Sequence, residues 1–94
     1  METSRLSYVW DYDIGVDEFA ALLRGDKTLG RLDRDWAAVR LLEHAPYTEI
    51  RRLMSFHDLV AGWPRWRLRI RSQTRRAGLD FLVDWLGRER PDLL

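Results

Sequence analysis

Between Trp63 and Arg76 the chain reads Trp-Pro-Arg-Trp-Arg-Leu-Arg-Ile-Arg-Ser-Gln-Thr-Arg-Arg, which sets six arginines within twelve residues and threads them between large apolar side chains. A guanidinium is a planar five-donor fork suited to phosphate or carboxylate, whereas an indole or a branched aliphatic chain needs burial or a surface to stack on. This combination points to binding rather than to bond-making. The candidate partner-binding residues are therefore Trp63, Arg65, Trp66, Arg67, Arg69, Arg71, Arg75 and Arg76. Two readings stay open for the arginines: a docking surface, or a solvated face paired with acids from elsewhere in the chain.

Other side chains offer little chemistry. Asp11 and Asp13 stand two apart, as in paired carboxylates that hold divalent cations, but no third ligand, glycine-rich phosphate loop or nearby lysine accompanies them. Capping and ion pairing are their ordinary roles. His44 and His57 form no metal-spaced pair, and His44 at a helix C-terminus would simply favour the dipole there. No cysteine exists, so disulfides and thiolate zinc sites are excluded, and no serine sits in a Gly-x-Ser-x-Gly setting. The expectation is a protein with no catalytic residue, no bound metal and no cofactor.

The elements that must position the basic segment are predicted helices. Asp17 and Glu18 favour the positive end of a helix over 16–24 whose apolar face is Phe19, Leu22 and Leu23, with Gly25 ready for the left-handed position beyond it. Asp33 is a good N-cap for a central helix over 34–44, which Pro46 stops. Thr48 would cap a third helix through Met54. Ser55-Phe56-His57-Asp58 imitates a capping box and introduces a short helix through Val60 that Gly62 would end. A last helix, capped by Ser72 or Thr74, carries Leu79, Leu82, Val83 and Leu86 at helical spacing, with Phe81 and Trp85 widening the stripe before Gly87 and Pro91 close it.

Residues 63–72 are ambiguous. As a strand, Arg65 to Arg71 would place Trp66, Leu68 and Ile70 on one face and the arginines on the other. Pro64 suits a helix's first turn instead. An extended segment would need a partner strand, a dimer mate or an ordered loop. Ahead of the helices, residues 1–7 read as a loose, flexible leader and residues 8–13, Tyr-Val-Trp-Asp-Tyr-Asp, as an extended arm. The fold class expected is all-α, a compact single domain over residues 1–94 of four to five helices. Trp10, Trp36 and Trp85 are the tryptophans expected in its core, while Trp63 and Trp66 are the ones expected at an interface.

Composition agrees with a self-sufficient small domain. The chain has 94 residues, 46% hydrophobic, and at this length about 60–65% of the unfolded surface is buried on folding. The acidic first twenty residues do not resemble a signal peptide, and no apolar run approaches the ~20 residues that span a bilayer. A cytoplasmic, membrane-free protein is expected. Net charge is only +1, yet residues 1–62 hold eight basic and eleven acidic side chains while residues 63–94 hold eight and four. The near-neutral total favours a protein partner with an acidic surface over nucleic acid, whose binding domains are usually distinctly basic. Nucleic acid, with phosphates on the arginines and bases stacked on the indoles, is the alternative.

Trp10-Asp11, Arg31, Asp35-Trp36, Leu41-Leu42, Tyr47, Ile50 and Leu53-Met54 together resemble a group of small uncharacterised bacterial proteins over about residues 8–60. Such proteins are often encoded beside nucleotidyltransferase-like toxins. The resemblance implies an antitoxin-like or accessory role, non-catalytic and exercised through protein–protein interaction, and assigns no catalytic residue.

Overall fold

Local signals start and stop the first two helices. In a computed structural model describing residues 14–94, α1 spans Val16–Arg24 and ends in Gly25, whose φ of 81° lies in the left-handed region. The Asp26 and Gly25 amides donate to the Ala21 and Leu22 carbonyls, at 2.9 and 3.0 Å, which satisfies the last turn. A turn at Gly30 then leads to α2, Arg34–His44, where the Asp33 carboxylate accepts the Trp36 amide at 2.9 Å. Helix α3 spans Tyr47–Leu53, α4 spans Phe56–Trp66, and α5 spans Gln73–Glu89. Single 3-10 turns follow α4, at Arg67–Arg69, and α5, at Pro91–Leu93. Among the described residues there is no strand beyond an isolated bridge between Leu29 and Leu32, and the fold is all-α.

Helix α2 is the hub. Ala37, Ala38, Leu41 and Leu42 are fully buried, and α2 packs against each of the other four helices. Two alanines let neighbouring backbones approach while the leucines fill the space between them. Around this hub gather Phe19 and Leu22 from α1, Ile50 from α3, Leu59, Trp63 and Trp66 from α4, Ile70, and Leu79 from α5.

Several boundaries differ from expectation, each for a physical reason. Helix α3 is introduced by Pro46, leaving Thr48 inside it. Helix α4 does not stop at Gly62 but continues through Pro64 to Trp66. A Cβ at residue 62 would run into the Trp66 ring, so Gly62 makes room for the indole one turn on instead of ending the helix. Ser72, not Thr74, caps α5 by accepting the Arg75 amide at 3.2 Å. The expected arm with Trp10, and the leader before it, lie outside the described residues. No described helix is long and apolar enough to cross a membrane.

Candidate functional site: the arginine-rich belt around α4 and α5

Leu59, Trp63, Trp66 and Ile70 recur at spacings of four, three and four, and this helical rhythm carries the ambiguous segment inward. Trp63 is 3% exposed, Trp66 1% and Ile70 2%. The expectation for Trp63 and Trp66 is therefore overturned, while Trp36 does pack against the core as expected. Trp63 and Trp66, expected at an interface, are core residues, while Trp36 and Trp85 are only partly buried. Phe81, expected to widen the core stripe of the last helix, is 67% exposed.

Each buried indole has one polar atom to satisfy, and each finds an aspartate. Trp63 Nε1 donates to Asp80 Oδ1 on α5 at 2.7 Å, and Arg67 closes a bidentate pair on the same carboxylate, with both bonds at 2.8 Å. Trp66 Nε1 donates to Asp35 Oδ1 on α2 at 2.8 Å, joined by Arg65 at 3.1 Å. The Arg65 guanidinium also lies 5.5 Å from the Trp66 ring centroid. These two indole–carboxylate–guanidinium groups tie α4 to α5 and to α2.

Charge-assisted hydrogen bonding makes both carboxylates more acidic. The Arg67 bonds, supported by the Trp63 N–H, lower Asp80 from the ordinary 3.8 to about 2 against a smaller opposing effect of burial. Asp35 is lowered too, first by the Trp66 hydrogen bond and then by Arg65.

Arg75 and Arg76 turn to backbone. Arg75 donates to the carbonyls of Leu42 and Ala45 at 3.2 and 2.6 Å, capping the C-terminal end of α2 from the side of α5. Arg76 donates to the Ile70 carbonyl at 3.1 Å. In return, Glu43 of α2 accepts the amides of Arg71 and Ser72, at 2.6 and 3.0 Å, where the chain enters α5. Of the eight candidate binding residues, two are thus buried and four have their guanidiniums engaged within the molecule.

Arg69 and Arg71 remain. Both are exposed, and neither guanidinium has a hydrogen-bond or ion-pair partner among the described residues. Between the belt and α2 they border an open groove of about 830 Å³ that also takes in Leu68, Arg40 and His44. Leu68 is 76% exposed. The short 3-10 turn sets this geometry: it sends Ile70 into the core and leaves Leu68 pointing outward, two residues that a strand would have placed together. Leu68 and Arg40 were not singled out from the sequence, because the first is recognisable only once the strand reading is replaced and the second only once α2 lies beside the turn.

Among the described residues no three His, Asp or Glu side chains converge as metal ligands, and the Asp11 and Asp13 pair lies outside them. His44 and His57 are both exposed on separate helices. Comparison with protein-family models, curated proteins and solved structures gives no match.

Proposed function

We propose that this chain is a non-catalytic helical interaction module that docks a protein with an acidic surface onto the groove between α2 and the 67–71 turn. The observation that carries the reading is Leu68, a large apolar side chain left 76% exposed beside Arg69 and Arg71, two exposed arginines whose guanidiniums make no hydrogen bond or ion pair among the described residues. An apolar contact ringed by positive charge suits a partner with an apolar anchor set among carboxylates. The burial of Trp63 and Trp66 removes the stacking platforms on which the nucleic-acid alternative relied. The resemblance of residues 8–60 to proteins encoded beside nucleotidyltransferase-like toxins offers such a toxin as the first partner to test, in an antitoxin-like or accessory relationship.

Co-purification of the native chain with and without nuclease treatment, repeated with Leu68→Asp and with Arg69→Glu combined with Arg71→Glu, tests the reading. A protein partner is expected to survive nuclease and be lost from both variants. With that partner purified, the arginine changes should chiefly slow association and Leu68→Asp should speed dissociation. Tight oligonucleotide binding whose salt slope falls by about 0.7–0.9 for each arginine removed would replace this reading with the nucleic-acid one.

A further inference from the structure

Helix α2 turns one stripe, Trp36, Arg40 and His44, toward the groove beside the 67–71 turn. These residues stand four apart, so an indole, a guanidinium and an imidazole follow one another at intervals of about 6 Å along a single helix face. Arg40 lies over the Trp36 ring, 5.2 Å from its centroid, which fixes the guanidinium on this face. Phe19 of α1 meets the same ring edge-on, with centroids 6.2 Å apart. Arg69 and Arg71 stand on the facing wall, and Glu43, the one carboxylate lining the groove, is bound to the amides of Arg71 and Ser72 and lies 4.0 Å from His44. Positive charge therefore outweighs negative in the groove, and the apolar end of its α2 wall is aromatic.

The chain itself supplies a complementary segment. Residues 8–13, Tyr-Val-Trp-Asp-Tyr-Asp, hold two carboxylates, three aromatic rings and no base. Only Ile14, itself 4% exposed, and Gly15 separate them from α1. A Cβ on Gly25, just past the end of α1, would lie 3.7 Å from Arg34 at the start of α2, while Phe19 in the first turn of α1 meets Trp36. The two helices thus run antiparallel, and the buried Ile14 tethers the segment toward the His44 end of the stripe. Six extended residues reach about 20 Å, enough to follow a stripe about 12 Å long. In extended backbone Asp11 and Asp13 point to the same side about 6.6 Å apart, close to the interval between Arg40 and His44. A partner from outside would compete with a segment held at a millimolar or higher effective concentration.

We propose that residues 8–13 dock within their own molecule on the Trp36–Arg40–His44 stripe, with Asp13 and Asp11 on His44 and Arg40 and the apolar side chains ahead of Asp11 on Trp36. The segment turns back at Ile14 and Gly15 to follow α2. It covers the α2 wall of the groove and leaves Leu68, Arg69 and Arg71 open on the other, so it goes beyond the docking reading and stands without it.

Nuclear magnetic resonance of the full-length chain tests the proposal. The expected result is a set of nuclear Overhauser contacts from the Val9 and Trp10 side chains to the Trp36 indole. They should be lost when Asp11→Asn is combined with Asp13→Asn, and lost in Arg40→Glu. Combining Asp11→Arg with Arg40→Glu should restore them. The asparagine changes precede every helix, so circular dichroism should show that variant folded, and it decides the matter even if Arg40→Glu unfolds the chain. Contacts absent from the wild type, or unchanged in the folded asparagine variant, would overturn the proposal. So would contacts that, in a mixture of labelled and unlabelled chains, run between two copies. None of these measurements involves a second protein, and docking at Leu68 keeps its own test.

Discussion

The ring of Trp66 occupies the space in which a Cβ of Gly62 would stand, one helical turn earlier on α4. The residue that best resembles a helix terminator is, in the folded chain, the condition for burying the largest side chain of the segment that follows. The arginines flanking that side chain hold its helix to α2 and α5, so most of the basic character of residues 63–76 is structural.

The first consequence concerns Gly62→Ala. In an exposed helix this change stabilises through backbone propensity, by up to about 1 kcal/mol. Here the added methyl group would press on a ring that is 1% exposed and held at its N–H by Asp35. A net loss of about 1–3 kcal/mol is expected, as for overpacking of a filled core. Urea denaturation measures it, and equal or greater stability in the variant would show that the Trp66 ring has room to move.

The tryptophans should rank by burial. Trp63→Ala and Trp66→Ala are each expected to cost about 3–5 kcal/mol, since each opens a cavity and leaves its aspartate short of a donor. Trp85→Ala, at a partly buried position near the end of α5, should cost clearly less. Unfolding free energies of the three variants decide the order, and a Trp85 variant as damaged as the other two would contradict the assigned core.

Acid stability is the third expectation. The folded-state values of Asp80 and Asp35 both lie below the ordinary 3.8, Asp80 at about 2. Their contribution is therefore complete above the unfolded-state value and disappears as pH falls through the lowered one. Between about pH 4 and pH 2 the wild-type chain should lose stability more steeply than Asp80→Asn or Asp35→Asn, each of which starts lower and has less to lose. Denaturant midpoints across that range, compared between wild type and each variant, test it, and parallel acid limbs would rule out both carboxylates as the source.

The helical class was legible in the sequence because helix signals act over a few residues. Asp33 caps α2 from three residues away, Gly25 ends α1 in the left-handed region, and Pro46 separates α2 from α3, so the bounds of α1 and α2 can be read directly from the chain. The buried faces of α1 and α2 follow from the spacing of Phe19, Leu22, Leu41 and Leu42. The segment from Trp63 to Arg76 was different. Its alternation fits a strand when counting starts at Arg65 and a helix when it starts at Leu59, and only packing against α2 decides between them. The partners of its charges were equally out of local reach: Asp35 stands 30 residues before Arg65, and Asp80 stands 13 after Arg67. Sequence alone thus determined that a helical chain would carry a dense run of arginine and tryptophan. Which guanidiniums bind inward and which face solvent, and that Leu68 and Phe81 stay outside while Trp63 and Trp66 go in, was decided by tertiary structure, because burial and charge pairing depend on groups that folding brings together from distant parts of the chain.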